Sequence, residues 1–142
     1  MELKTEIFIP ATPAEVWLVL SDTEQYPDWN PLVSRLEGQL QAGAVVSAQL
    51  PTMRFRPTIL VAEPEKELRW IGKLFFTGLF DGEHYFILEA RDGGTLFRHG
   101  EHFTGLLVPL YRRKLNGDIK KWFYAMNEAL RDEVARRSGS KG

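Results

Sequence analysis

Apolar and polar residues alternate from Leu3 to Ile9, with Leu3, Thr5, Ile7 and Ile9 set against Lys4 and Glu6. A period of two is that of a half-buried strand, and Pro10 ends it. Thr12-Pro13-Ala14-Glu15 then carries a helix start: Thr12 as N-cap, Pro13 at the first helical position and Glu15 placed to complete a capping box. Val16, Trp17 and Leu20 form the apolar side of this helix. Ser21-Asp22-Thr23 offers a second cap, and the prolines in Tyr26-Pro27-Asp28-Trp29-Asn30-Pro31 stop regular helix, so a broken pair of short helices is expected.

Between Leu32 and Thr104 the pattern predicts strands over Val33–Glu37, Ala44–Leu50, Arg54–Ala62, Leu68–Phe75, Phe80–Glu89 and Thr95–Thr104. Gln41-Ala42-Gly43, Pro51-Thr52, Glu63-Pro64-Glu65-Lys66, Thr77-Gly78 and Asp92-Gly93-Gly94 separate them. Connections this short join antiparallel neighbours, giving, with the first strand, a sheet of about seven. The period then changes. Leu115, Ile119, Trp122, Phe123, Met126, Leu130 and Val134 recur at spacings of three and four, while Lys114, Asp118, Lys120, Lys121, Glu128 and Asp132 fill the remaining circumference. One long amphipathic helix is predicted from near Pro109, ending before a disordered tail over residues 138–142. Residues 1–137 are thus expected to form a single α+β domain in which an antiparallel sheet curves around the last helix. Such a grip leaves a space between sheet and helix that suits a ligand.

Strand parity selects the residues that face this space. Phe80, Gly82, His84, Phe86 and Leu88 share one side of their strand, and Phe97, His99, Glu101 and Phe103 share one side of the next; the opposite sides hold most of the charge. Asp92-Gly93 favours a two-residue type I′ hairpin, which pairs Arg91 with Gly94. That register sets Leu88 opposite Phe97, Phe86 opposite His99 and His84 opposite Glu101, with directly opposed Cβ atoms about 5 Å apart.

Composition narrows the chemistry. The 142 residues are 44% hydrophobic and include 4 Trp, 4 Tyr and 9 Phe, too apolar and aromatic for a disordered segment. With 18 Lys and Arg against 19 Asp and Glu, the net charge is −1, which provides no global field for nucleic acid. Zero cysteines exclude disulfides, thiolate catalysis, iron–sulfur clusters and cysteine-based zinc sites. The N-terminus alternates in charge, unlike a signal peptide, and the longest largely uncharged stretch, Leu74–Phe80, is far short of the ~20 residues a membrane-spanning helix needs. A cytoplasmic location, no integral membrane segment and a monomer or homodimer are expected.

The His84/Glu101 pair on the inner face admits three readings: a polar anchor for a ligand, a general acid/base dyad, or a buried pair that satisfies itself and fixes register. His84, His99 and Glu101 would give a metal two histidines and a carboxylate, but no spacing motif supports a metal, and none is expected. Arg112 falls near the start of the long helix, where it could reach the cavity mouth or snorkel to solvent. Arg112, Arg113, Lys114, Lys120 and Lys121 form a basic set that could touch phosphates or simply be solvated. The glycines at 93 and 94 lie in a hairpin rather than between strand and helix, so they do not form a nucleotide fingerprint.

These residues carry a family resemblance. Pro13-Ala14, Val16-Trp17, Leu20 and Asp22, followed by Tyr26-Pro27, Trp29-Asn30-Pro31, resemble the opening of the SRPBCC (START/Bet v 1-like) superfamily. Gly82, His84, Phe86 and Leu88, then Gly94-Thr95, Phe97, His99, Glu101, Phe103 and Gly105-Leu106-Leu107, then Phe123, Met126-Asn127 and Leu130, are similar to its bacterial polyketide cyclase/dehydrase-like branch. The resemblance covers residues 1 to about 137. It implies a helix-grip fold, a seven-stranded sheet around a C-terminal helix enclosing a hydrophobic cavity, in a family of lipid and sterol carriers, hormone and ubiquinone binders, chaperone activators and aromatase/cyclases.

The expected function is binding or carriage of a small hydrophobic ligand, such as a lipid, isoprenoid or polyketide, without a cofactor. Phe55, Trp70, Phe80, Phe86, Phe97, Phe103, Trp122 and Met126 are the candidate walls, and His84, Glu101 and His99 the candidate polar contacts. The alternatives are a cyclase, aromatase or dehydratase using His84 and Glu101 as acid and base, and a protein-interaction module with a vestigial cavity.

Overall fold

A computed structural model describes residues 1–74 and 78–139. Strand β1 (Glu2–Ile9) leads into α1 (Pro13–Ser21), where the predicted capping box is formed: the Glu15 N–H donates to Thr12 Oγ1 at 3.2 Å and the Thr12 N–H donates to Glu15 Oε1 at 3.3 Å. A single 3₁₀ turn (Thr23–Gln25) joins α1 to α2 (Tyr26–Trp29). The Asn30 side-chain oxygen then accepts from the backbone N–H groups of Leu32 and Val33, at 3.0 and 2.9 Å, and turns the chain back into the sheet.

The strands that follow are β2 (Arg35–Glu37), β3 (Ser47–Gln49), β4 (Arg54–Phe55), β5 (Thr58–Glu63), β6 (Glu67–Leu74), β7 (Phe80–Arg91) and β8 (Gly94–Thr104). The fold is α+β as expected, but it has eight strands in place of seven, because the predicted Arg54–Ala62 strand divides at Arg56-Pro57. Pro57 has no N–H to give a ladder and restrains the residue before it. Five strands form one antiparallel sheet in the order β1-β8-β7-β6-β5, and three short ones form a second, β2-β3-β4. An isolated bridge from Val45 to Thr58 links the two. Phe75 and Thr77, expected at a strand end and a break, lie outside the described residues.

The β7–β8 register agrees with the sequence expectation at every pair named above. Asp92 (φ 50°) and Gly93 (φ 78°) occupy the left-handed region that a type I′ turn requires. The C-terminal helix is not one regular element. It runs as α3 (Val108–Lys114), a π turn (Leu115–Ile119) and α4 (Lys120–Gly139). Ser138 and Gly139 therefore belong to the helix and not to a tail, while residues 140–142 lie outside the described residues. Phe123, Met126, Leu130 and Val134 of α4 join Val16, Val19 and Leu20 of α1 and the inner face of the large sheet in one core. Among the described residues, no helix is long and apolar enough to cross a membrane.

Candidate functional site

A cavity of about 240 Å³ opens between the inner face of β6–β8, the β3–β4 turn, and the segment running from α3 through the π turn into α4. Phe55, Trp70, Phe80, His84, Glu101, Phe103 and Trp122, all named from the sequence, line it. Phe86, Phe97, His99 and Met126 do not: each is completely buried in the core behind the wall. Phe86, Phe97 and His99 share the inner face with the lining residues but pack, with Met126, into the core that α4 completes, His99 against Phe123. Leu32, Leu50, Pro51, Thr52, Met53, Gly72, Lys73, Gly82, Tyr111, Lys114, Leu115, Ile119 and Phe123 complete the lining. Arg112 is exposed and absent from it; Tyr111 and Lys114 of α3 stand there instead.

Cross-strand pairing builds the polar end of the cavity. One row across the large sheet reads Ile59, Trp70, His84, Glu101, Leu3, and the next reads Leu68, Phe86, His99, Thr5. The His84 ring stacks on Trp70 (centroids 5.2 Å apart, 22° between planes), and His99 stacks on Phe123 of α4 (4.3 Å, 7°). His84 Nδ1 lies 2.8 Å from Glu101 Oε1, and His84 Nε2 lies 2.7 Å from His99 Nε2. His99 Nδ1 lies 2.8 Å from Asn127 Oδ1; the Asn127 amide donates to Thr5 Oγ1 at 2.8 Å, and the Thr5 hydroxyl donates to the His99 carbonyl at 2.7 Å. An unbroken chain of polar contacts therefore runs from the cavity into the core.

Burial, and next the neighbouring His84 ring, hold the His99 imidazole well below the usual histidine range, against hydrogen bonds to Asn127 and to the Phe123 carbonyl. His99 is a neutral group. The exposed part of the chain is Glu101: its side chain is 18% accessible, against 6% for His84. Both His84 nitrogens are engaged, so a base role for His84 toward a ligand is not what the geometry offers; Glu101 is the group that reaches the cavity.

Gly82 makes room for it. A Cβ at this position would stand 2.0 Å from Glu101 Oε2, so the carboxyl group occupies the volume that any other residue would fill. At the mouth, Lys73 and Lys114 have no carboxylate within 4 Å among the described residues. The three potential metal ligands face one another as hydrogen-bond partners, and no cluster of metal-binding side chains occurs among the described residues. Thr5 and Asn127 were not among the sequence candidates. Their signal was a polar residue in an otherwise apolar set, Thr5 among Leu3, Ile7 and Ile9, and Asn127 beside Met126 in the helical stripe.

A larger hollow of about 430 Å³ lies between α1 and the end of α4. Its polar lining is tied together by Arg137–Asp22 (3.1 Å) and Ser138–Glu15 (3.0 Å) contacts, so it presents no comparable chemistry.

The family described as polyketide cyclase / dehydrase and lipid transport matches residues 1–138. The chain belongs to that family. No curated protein matches it by sequence. Among solved structures, the family member resembles protein MLL2253 from Mesorhizobium loti, with a TM-score of 0.78 and 20% identity over 96% of this chain and 98% of that one. It also resembles the Zhui aromatase/cyclase from Streptomyces sp. R1128, with a TM-score of 0.77 and 16% identity over 97% and 95% of the two chains. Against Ara h 8.0201 the TM-score is 0.69, with 21% identity over 96% and 98%. At these identities the likeness is one of fold, and it places this polyketide cyclase/dehydrase-family chain among Bet v 1-like helix-grip structures.

Proposed function

We propose that this chain binds, and carries, a compact hydrophobic ligand in the cavity between sheet and helix. The observation that carries the reading is a wall of Trp70, Phe80, Phe103 and Trp122 closing on a single accessible carboxylate. At about 240 Å³ the space falls below the roughly 300–1,000 Å³ of drug-sized sites. This favours a ligand of one or two rings, such as a small polyketide-like aromatic, over a long acyl chain or an extended isoprenoid. Aromatic walls suit such a ligand because flat rings gain offset or edge contacts beyond simple burial. Native mass spectrometry of the purified protein, with equilibrium dialysis of small aromatic probes, tests the reading. Wild type is expected to take up a two-ring probe, and Phe103→Trp, which fills the space, to lose it. Equal uptake by both proteins would reject the cavity as the site.

A second reading is a cyclase-, aromatase- or dehydratase-type enzyme, favoured by one observation: Glu101 presents an oxygen to the cavity while a chain of imidazoles backs it. In that case Glu101, and not His84, is the acid/base, with His84 and His99 as positioning residues. Turnover lost in Glu101→Gln with ligand affinity retained would support it. An interaction module with a vestigial cavity is the least supported alternative, because the interior has not collapsed.

A further inference from the structure

The direction of each hydrogen bond in the buried chain can be worked out from its far end. The Thr5 hydroxyl spends its proton on the His99 carbonyl, so its oxygen accepts from the Asn127 amide. Asn127 Oδ1 then faces His99 Nδ1 as an acceptor. The His99 carbonyl cannot reverse its role, so the His99 ring carries its proton on Nδ1. Being neutral, it offers a lone pair at Nε2. His84 Nε2, 2.7 Å away, must donate to it. The tautomer of His84 is thus dictated from the core.

Its other nitrogen, Nδ1, meets Glu101 Oε1 at 2.8 Å. A lone pair facing a carboxylate at that distance is repulsive, so one proton lies between them, on the ring as an imidazolium or on Oε1 as an acid. In either form Oε2, which lies over Gly82, carries no proton and only accepts. A proton on Oε2 would leave Oε1 and Nδ1 as two acceptors in contact. In either form the pair as a whole is neutral, so it does not call for a cation.

We propose that the inner end of the cavity selects a neutral hydrogen-bond donor on its ligand, a phenolic, enolic or alcoholic hydroxyl, which donates to Glu101 Oε2, and that it rejects ligands presenting a carboxylate or bare carbonyl there. Any anionic group on the same ligand is directed to the mouth, where Lys73 and Lys114 stand. Thr5, Asn127, His99 and His84 are positioning residues, which keep the carboxyl group turned with one oxygen spent and the other free. This inference rests on the cavity being the ligand site.

Matched probes separate the two claims. Equilibrium dialysis would compare 2-naphthol, 2-methoxynaphthalene, which has similar shape but no donor, and 2-naphthoate. Wild type is expected to bind 2-naphthol about 10-fold more tightly than the methyl ether, the factor of a hydrogen bond at the upper end of the neutral range, and more tightly still than 2-naphthoate. Glu101→Met should bring naphthol and ether within about 2-fold of each other. Glu101→Gln should keep a reduced preference, because its amide donates to His84 Nδ1 and leaves its oxygen toward the ligand; this variant also guards against misfolding of the first. Equal binding of naphthol and ether by wild type, or an undiminished preference in Glu101→Met, overturns the donor rule while leaving the cavity reading intact. If neither neutral probe binds, both fail.

Discussion

Toward the Asp92–Gly93 turn, the inner face of β7 and β8 carries Phe86, Leu88 and Phe97, with Phe86 and Phe97 stacked 5.8 Å apart and fully enclosed. Toward the other end, the same face of the same strands carries Phe80, Gly82 and Phe103, and there Phe80 and Phe103, also 5.8 Å apart, border empty space. Residue type does not separate the two halves, and parity is common to both. What differs is the cover. Met126 and Leu130 of α4 complete the buried core over the closed half, whereas the open half is roofed by α3, the π turn, the start of α4 at Trp122 and Phe123, and the Leu50–Phe55 turn. A cavity here is a property of what lies opposite the strands. His84, His99 and Glu101 sit on the boundary, with His99 set in packed core and His84 and Glu101 facing the cavity.

The sharpest way to break this comparison is to truncate one phenylalanine in each half. Phe97→Ala should destabilise the fold by about 3–5 kcal/mol, the range for a buried phenylalanine whose neighbours cannot collapse. Phe103→Ala merely enlarges an existing space and should cost less than half as much in urea denaturation. Equal losses would mean that the halves are packed alike.

The boundary can be probed through pH. In the unfolded chain His99 titrates near the ordinary histidine value of about 6.5, whereas in the fold it stays neutral to lower pH. The unfolded state therefore binds the extra proton first. Stability is full above pH 6.5 and falls as pH drops toward the depressed native value, with a slope of at most about 1.4 kcal/mol per pH unit. Melting curves between pH 7.5 and 5 should show this decline, and His99→Gln should remove most of it. Glu133 supplies a separate window. Hydrogen bonds from Arg136, then Arg137, hold its carboxyl at about 2 against a reference of 4.5, so its contribution is present above 4.5 and lost only as pH falls from there toward 2. A decline already under way between pH 6.5 and 5 is thus attributable to the histidine.

The smallest expected change in stability comes from Gly82→Ala. The added Cβ meets the end of a flexible side chain, which can swing aside at a cost under about 1 kcal/mol. The carboxyl group would nevertheless leave His84, and the His84 ring resonances in an NMR spectrum should shift while the melting temperature hardly moves. Unchanged resonances would show that Glu101 does not depend on the missing Cβ.

The register of the hairpin was legible because Asp92-Gly93 specifies its own turn, and once that is known each pairing from Leu88–Phe97 to His84–Glu101 follows by counting. Parity also told which side of β7 and β8 faces inward. It could not tell wall from core, so Phe86, Phe97, His99 and Met126 were expected beside a ligand and lie behind it. The link from Thr5 to Asn127 was not legible either, since it joins residues 122 positions apart that meet only after the helix has docked on β1. The division of the strand at Arg56-Pro57 had a visible cause in Pro57. The π turn had none in the apolar spacing, which continues through Leu115 and Ile119 as though the helix were regular.

That turn has a consequence for insertions and deletions. Each residue of an α-helix advances about 100° around the axis. Because the π turn holds one residue more than an α turn over nearly the same rotation, removing Gly117 would regularise the helix and leave Tyr111 and Lys114 at the mouth, whereas adding a residue there would rotate α3 by about 100° relative to α4 and carry them away. At this place in the chain, segment length is as much a determinant of the binding site as residue identity.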